Sequence, residues 1–144
     1  MEKLDLPADL RRLERFIGFT IPREGKFYVC DHDEIVRLDI GESISADPSD
    51  QHPYKFVENN SDFLGLVFEG EVKNQPILRV GSTVISYEFD PTNDFVVVTY
   101  EAGESLGTVE FPTFSGDWFA ASLSDDGKHL VLAEPYSVAL YRVA

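Results

Sequence analysis

Short apolar runs separated by polar turns fill this chain from residue 19 onward. The turns are rich in Asp, Gly, Asn and Pro, a pattern typical of β-hairpins. Before residue 19 the spacing changes, because apolar residues recur every three or four positions, as on one face of a helix. Pro7 suits the first turn of such a helix and Gly18 its end. The pattern predicts one helix over about residues 6–17 and β-rich repeats over residues 19–144. The apolar positions of that helix are Leu6, Leu10, Leu13, Phe16 and Ile17. Its opposite, basic face carries Arg11, Arg12 and Arg15, which would bind an anion or a partner, or else be solvated or lie against the acidic body.

A unit made of a polar turn and an apolar strand occurs four times in the β-rich part. The copies are IPREGKFYVCDH from Ile21, VENNSDFLGLVF from Val57, FDPTNDFVVVTY from Phe89 and LSDDGKHLVLAE from Leu123. They start 32 to 36 residues apart, a period typical of repeat proteins. A further strand is predicted after each copy, at residues 34–40, 76–80, 105–111 and 137–143.

One aligned column of the unit holds residues that tolerate a positive φ. It is occupied by Gly25, Asn93 and Gly127, with Ser61 as the exception. Gly and Asn are the residues that a tight turn requires where its backbone enters the left-handed region. The column therefore predicts that a similar turn fixes the register of each hairpin.

The predicted strands differ in how their apolar residues are arranged. In TVISYEF, Ile85, Tyr87 and Phe89 alternate with Val84, Ser86 and Glu88, which predicts one buried and one solvated face. DFVVVTY is apolar nearly throughout, which is typical of a strand covered on both faces. We expect a mainly β fold in which short repeated hairpins form one continuous antiparallel meander, barrel-like, sandwich or small propeller-like, with one N-terminal helix.

The stretch LSDDGKHLVLAEPYSVALYRV, residues 123–143, resembles part of a WD40-type propeller blade, and residues 89–111 resemble it less closely. The Gly-His and Trp-Asp dipeptides of that family are absent, and Tyr141-Arg142 stands where Trp-Asp is expected. Only Gly81-Ser82 separates PILRV from TVISYEF, which favours a tight hairpin over a passage between blades. The resemblance implies a small propeller as the alternative to a continuous meander.

Length and composition indicate one soluble domain over residues 1–144. Of these residues 43% are hydrophobic and 12% aromatic, enough to bury a core without disulfides or metals. No apolar run approaches the ~18 residues that span a bilayer, and the N-terminus lacks the pattern of a secretory signal. The single cysteine, Cys30, has no internal disulfide partner. We therefore expect a cytoplasmic protein.

Acidic residues outnumber basic ones and are unevenly distributed. The net charge is −14; residues 1–26 hold six basic and five acidic side chains, whereas residues 27–144 hold six and twenty-one. Such a body repels nucleic acids and anionic lipids, and it attracts basic proteins at rates that fall with salt. The charge favours a basic protein partner, with no nucleic acid and no membrane. Solubility alone is the alternative explanation.

The segment LERFIGFTIP, residues 13–22, resembles the opening of the SMI1/KNR4 superfamily, in which a helix carrying Glu precedes a short hydrophobic step with Gly and then Ile-Pro. Many bacterial members are immunity proteins of similar size and acidity that neutralise toxins. Members continue with a helix after the Pro, whereas REGKFYVCDHDEIVRL is typical of a hairpin. The resemblance implies an immunity role and assigns no binding residue.

One His–Cys cluster and several pairs of carboxylates fit catalytic or metal-binding patterns, but simpler structural roles explain them. His32 lies in CDHDE beside Cys30, which suggests a metal site or a Cys–His nucleophile. The aligned position is a turn, where acidic residues serve as solvated turn formers. The pairs Glu101 with Glu104, Asp125 with Asp126, and Glu69 with Glu71 would suit acid–base chemistry in a cleft, but all lie at predicted turns or strand ends. We expect no enzyme, metal or cofactor.

An aromatic segment is the strongest candidate for binding. EFPTFSGDWF, residues 110–119, has Phe111 and Phe119 at predicted strand ends, which leaves Phe114 and Trp118 as anchors of the kind found at interfaces. Nearby carboxylates would meet a basic partner. The predicted partner-binding residues are Glu101, Glu104, Phe114, Asp117, Trp118, Asp125 and Asp126.

Two functions follow from these features. The first is an acidic, non-enzymatic protein-binding protein, most simply an immunity or antitoxin-like inhibitor of a basic toxin. The alternative is a propeller-like scaffold or interaction module of a larger assembly. A hydrolase with an unrecognised carboxylate pair is a third, weaker hypothesis.

Overall fold

Three antiparallel sheets and one short helix form the fold, which confirms the mainly β prediction. The computed structural model describes residues 1–8, 10, 13–67 and 73–143. In chain order the elements are β1 (Glu2–Leu4), β2 (Phe16–Thr20), β3 (Lys26–Asp31), β4 (Ile35–Ile40), β5 (Ile44–Ser49), α1 (Pro53–Glu58), β6 (Phe63–Gly65), β7 (Arg79–Val80), β8 (Thr83–Tyr87), β9 (Phe95–Ala102), β10 (Ser105–Pro112), β11 (Ala120–Leu123), β12 (His129–Glu134) and β13 (Ser137–Arg142).

Each sheet is built mainly from strands that follow one another in the chain. The covered sheet has the order β5-β4-β3-β2-β6, the open sheet β10-β9-β8-β7, and the central sheet β1-β13-β12-β11. Strand β1 joins the outer edge of the last hairpin, so that both ends of the chain lie in the central sheet. None of the sheets closes into a barrel within the described part of the chain.

The central sheet lies between the other two. On β12, Val131 and Ala133 belong to the core shared with the covered sheet, whereas Leu130 and Leu132 belong to the core shared with the open sheet. Alternate side chains of a strand point to opposite faces. A strand that is buried on both faces must therefore be apolar throughout, as β12 nearly is.

Helix α1 covers the outer face of the covered sheet. Phe56 and Val57 of the helix pack with Ile17, Cys30 and Ile35 of the sheet. The helix begins with Pro53 in its first turn, where the missing N–H costs nothing. No helical period is recognisable in the sequence there, because six residues are too few to establish one. The outer face of the open sheet has no such cover among the described elements.

The helix predicted over residues 6–17 is wrong at its C-terminal end, and the described residues before that end show only a short 3₁₀ turn, in which the Leu10 N–H donates to the Pro7 carbonyl (3.2 Å). Residues 16–20 form β2, and all five of its residues are buried. Five consecutive buried residues need cover on two faces, which a strand between α1 and the core provides and an amphipathic helix does not. Positions 9, 11 and 12, including Arg11 and Arg12 of the expected basic face, lie outside the described residues.

The prediction that DFVVVTY is covered on both faces is also wrong. In β9 burial alternates, with Val96 and Val98 at 1% and 0% exposure and Phe95 and Val97 at 42% and 43%. The open sheet is an outer layer, so that one face of β9 meets the core and the other meets solvent. The alternation predicted for TVISYEF is confirmed, because Ile85 is in the core.

In three copies the strand of the repeated unit pairs with the further strand that follows it, in the hairpins β3–β4, β9–β10 and β12–β13. The second copy does not, because Val57 lies in α1 and the strand that follows is β6, which pairs with β2. The predicted strand at 76–80 is shortened to Arg79–Val80. Gly25 and Gly127 both have φ of +75°, whereas Asn93 has no positive φ. The expected single meander is instead divided into three sheets.

Candidate protein-binding surface

Large apolar side chains are exposed on the outer face of the open sheet. Phe95 and Val97 on β9 are 42% and 43% exposed, and Leu106 on β10 is 70% exposed. Single exposed apolar residues are common on protein surfaces, but three on one sheet face are typical of a site that binds another molecule. The central sheet is internal and α1 covers part of the covered sheet, whereas the described elements leave this face of the open sheet accessible to a partner.

The register of β9 with β10 explains why these residues share a face. Leu106 lies opposite Glu101, and Val97 lies opposite Glu110. Residues that face each other across an antiparallel pair project to the same side of the sheet. The two apolar side chains are therefore each flanked by a carboxylate on the neighbouring strand, and all four point away from the core.

The open sheet is also the most uniformly acidic part of the chain. Residues 80–127 contain nine Asp or Glu residues and no Lys or Arg. This stretch includes β8, β9 and β10, so that the basic side chain of the sheet is Arg79 on β7. Apolar side chains beside the carboxylates of Glu101 and Glu110 favour a partner that is basic and partly apolar.

Phe114 follows β10 and is the most exposed aromatic side chain described, at 72%. The loop after β10 that carries Phe114 is fixed by Glu134, whose side chain is fully buried. Glu134 accepts hydrogen bonds from the N–H groups of Phe114 (2.6 Å) and Ser115 (3.2 Å), from the N–H of Tyr136 and from the hydroxyl of Ser137 (3.0 Å). The loop is thus tied to the β12–β13 turn, and the Phe114 ring is presented on a fixed backbone.

Asp117 of the same loop is bound to Arg15. The Arg15 guanidinium donates to the Asp117 carboxylate and to the Tyr136 hydroxyl (2.9 Å), and it lies 5.3 Å from the centre of the Tyr136 ring. Arg15 therefore partly neutralises Asp117, which makes this carboxylate less available to a partner. Of the expected basic face, the described member Arg15 lies against the acidic body.

The structure divides the predicted partner-binding residues between two ends of the open sheet. Glu101 and Glu104 lie at the β9–β10 turn, whereas Phe114, Asp117 and Trp118 follow the other end of β10. The eight residues of β10 span ~26 Å at a rise of about 3.3 Å per residue. Trp118 is only 7% exposed and belongs to the core, which corrects its predicted role as an exposed anchor.

Asp125 and Asp126 lie in the β11–β12 turn, which touches Val80 at the end of the open sheet that carries Glu104. The Asp126 carboxylate accepts hydrogen bonds from the Ser124 hydroxyl (2.6 Å) and the Lys128 N–H (2.9 Å). These hydrogen bonds lower the pKa of Asp126. Asp126 therefore shapes its own turn, and Asp125 is the more available carboxylate.

Sequence reasoning missed Phe95, Val97, Leu106 and Glu110. Two signals in the sequence point to them: the absence of Lys and Arg between residues 80 and 127, and the apolar alternate positions of β9. Interpreting DFVVVTY as covered on both faces concealed the second signal.

The CDHDE segment forms the β3–β4 turn. Asp31 accepts hydrogen bonds from the N–H groups of Asp33 (2.8 Å) and Glu34 (2.6 Å), which is the turn-forming role expected for it. The His32 ring nitrogen lies 3.0 Å from the Tyr54 hydroxyl. Among the described residues no group of three or more His, Cys, Asp or Glu is placed to hold a metal ion. The pair Glu69 and Glu71 lies outside the described part.

Cys30 is fully buried, and burial, with a smaller contribution from the charge of Asp31, raises the pKa of its thiol to about 12. Since the thiolate is the reactive form, native Cys30 should react with an aromatic disulfide reagent at pH 8 roughly a hundredfold more slowly than Cys30 in urea-unfolded protein. Absorbance of the released thiol gives both rates. Equal rates would contradict the burial of this side chain.

A cleft of about 1010 Å³ lies between β6, residues 73–76 and the start of β11. Its described lining includes Tyr87, Phe89 and Asn74, and the Asn74 amide donates to the carbonyls of Asn60 (3.3 Å) and Phe63 (2.9 Å). The Asn74 amide therefore holds the segment after β6 in place. Asp117 and Glu58 line the cleft too, and Asp117 is bound to Arg15. This arrangement gives no acid–base pair to assign.

Comparison with family models, with curated proteins and with solved structures finds no match for the chain. The helix that the structure describes is too short and too polar to cross a membrane. The SMI1/KNR4 and WD40-like resemblances therefore stay predictions, and the surface of the open sheet is what indicates a function.

Proposed function

We propose that this protein is an acidic, non-enzymatic protein-binding protein that uses the outer face of its open sheet to bind a basic partner. The observation that carries the proposal is the coincidence of two features on one face. Exposed apolar side chains, led by Leu106 at 70%, lie directly beside carboxylates, in a stretch without a single Lys or Arg between residues 80 and 127. Carboxylates would speed the encounter, and apolar contacts would slow dissociation.

Within this class, an immunity or antitoxin-like inhibitor is the most specific form of the proposal. The chain is small, its net charge is −14, and its N-terminal segment resembles a superfamily rich in immunity proteins. An inhibitor of this kind would cover the basic surface of a toxin. The partner would then be a basic protein that is harmful when it is free.

Affinity capture from the native cell lysate, at low and at high salt with mass spectrometry of the retained proteins, tests the proposal. One basic protein held near stoichiometrically at both salts is expected. That protein should inhibit growth when it is produced alone and lose this effect when it is produced with the present chain. A diffuse set of proteins that washes off with salt would overturn the binding function, and a harmless partner would overturn the inhibitor role alone.

Neutralising Glu101 and Glu110 as Gln should lower the association rate with the captured partner by about fivefold at low salt, with little effect at high salt, because salt screens exposed charges. The matched control, Glu42→Gln with Asp50→Asn, makes the same charge change on exposed residues of or beside the covered sheet. Stopped-flow or surface plasmon resonance kinetics give the rates. Equal slowing by both pairs would place the effect in net charge and not in this face.

The arrangement of the sheets supports one alternative. Three of the repeated units form hairpins in separate antiparallel sheets, and β1 completes the sheet of the last unit, as the ends of a propeller do. A propeller-like scaffold within a larger assembly would use several faces at once. Capture of several stoichiometric components in place of one basic protein would favour it.

A further inference from the structure

Strand β10 forms an edge of the open sheet, and its outer side has no neighbouring strand among the described residues. Open edges carry unpaired N–H and C=O groups, and proteins usually block them with lysines, prolines or bulges. Strand β10 contains no lysine, its Pro112 is the last residue, and its register with β9 is regular over the whole length of Ser105–Pro112. Between Ser105 and Phe111 the edge therefore has no lysine, proline or bulge.

The hydrogen-bond pattern shows which backbone groups of β10 face outward. Opposed residues in an antiparallel pair alternate between hydrogen-bonded and non-bonded positions. The Thr113 N–H donates to the Asp94 carbonyl (2.8 Å), and this pair continues the β9–β10 register. Odd-numbered residues of β10 therefore bond to β9. The N–H and C=O groups of Leu106, Thr108 and Glu110 point to the open edge.

The side chains of these three residues lie on the solvated outer face of the open sheet, where all three are exposed. An added strand would place its own alternate side chains on the same face. Those side chains would meet the carboxylate of Glu110 and the apolar surface of Leu106. Lys or Arg alternating with apolar residues is the sequence that matches this edge.

We propose that β10 accepts an extended basic segment of a partner protein as a fifth strand of the open sheet. Main-chain hydrogen bonds would supply affinity, and the carboxylates would select the basic sequence. The inference rests on the proposed function, because it names the part of the basic partner that is bound and the mode of binding.

A second copy of the chain fits this edge less well. Two chains paired through β10 would bring Glu101 and Glu110 of each onto one continuous sheet face, in a stretch without Lys or Arg between residues 80 and 127. The mutual repulsion of these carboxylates opposes pairing of two acidic copies. Analytical ultracentrifugation tests this alternative. A dimer of the unmodified protein that is absent from the Thr108→Pro variant would show that a second copy, and not a basic partner, occupies the β10 edge.

The test uses a synthetic seven-residue peptide of alternating Lys and Val, with blocked ends, titrated calorimetrically into the full chain. Thr108→Pro removes an N–H that faces the open edge and no hydrogen bond to β9, whereas Thr108→Ala keeps that N–H. We expect Thr108→Ala to bind within twofold of the original protein and Thr108→Pro at least tenfold more weakly. Circular dichroism checks that both variants are folded.

Two peptides that are N-methylated at every second residue, in opposite phases, keep the test decisive if Thr108→Pro does not fold. Only the phase that methylates the N–H groups facing β10 should lose binding, by at least tenfold. Equal binding of both phases, or equal binding of a peptide with Glu in place of Lys, would overturn the inference.

Failure of the inference and failure of the proposed function give different results. A captured basic protein that binds Thr108→Pro as tightly as the original chain would overturn strand addition and leave the binding function standing. Phase-dependent binding of the peptide without any captured basic protein would support strand addition and overturn the proposed function.

Discussion

Replacing Glu134 with alanine is expected to lower the free energy of unfolding by about 4 kcal/mol, because the change removes a buried carboxylate that accepts four hydrogen bonds. The side chain of Glu134 has no exposed surface, and three backbone N–H groups and one hydroxyl donate to it. Without the carboxylate, the N–H groups of Phe114, Ser115 and Tyr136 lose their acceptor. Urea denaturation followed by circular dichroism measures the loss.

Ser137→Ala is the matched control for this prediction. It removes one of the four donors (3.0 Å from the Glu134 carboxylate) and leaves the acceptor in place, so that a loss of about 1 kcal/mol is expected. Hydrogen exchange of the Phe114 and Ser115 amides should also be faster in Glu134→Ala. If the two variants unfold at the same urea concentration, Glu134 does not hold the loop.

The hairpins were largely predictable from sequence, because turn chemistry and apolar runs are local signals. The strands after Gly25 and Gly127 were placed within a few residues, and both glycines have the positive φ that their turns require. Local signals do not report what covers a strand. The same apolar run suits β9, with one solvated face, and β12, with none.

The N-terminal error has a related cause. Apolar residues from Leu6 to Ile17 fit a helical period, yet β2 begins at Phe16 and is buried on both faces. The sheet that receives β2 contains β3, β4, β5 and β6. All of those partners come later in the chain, so that tertiary pairing overrode a local pattern.

The candidate surface was predicted in part. Charge located the acidic residues Glu101 and Glu104; Glu101 is on β9 of the open sheet, and Glu104 is in the turn that follows β9. The apolar component was assigned to Phe114, which is exposed, and to Trp118, which is buried in the core. Leu106 on the edge strand β10 was overlooked. Aromatic content indicates large side chains, but only the packing of the sheets decides which of them remain exposed.

Gly65→Ala is expected to destabilise the fold by roughly 3 kcal/mol or more, because two backbones meet at this position without room for a side chain. Gly65 lies opposite Gly18 where β6 joins β2. A Cβ on Gly65 would lie 2.6 Å from the Gly18 Cα and closer still to the Ile17 carbonyl, and Gly65 has φ of +142°. Strand β6 would have to move away from β2 to accept the methyl group.

Gly81→Ala separates this clash from the cost of a positive φ. Gly81 has φ of +58°, and a Cβ there would meet nothing within 4 Å, so that only a backbone penalty of about 1 kcal/mol applies. Urea midpoints of the two variants measure the difference. Displacement of β6 would also expose Leu64, which packs in the core that the covered and central sheets share, so that Gly65→Ala should bind a hydrophobic dye where Gly81→Ala does not. Equal losses of stability in the two variants would show that β6 yields without disturbing that core.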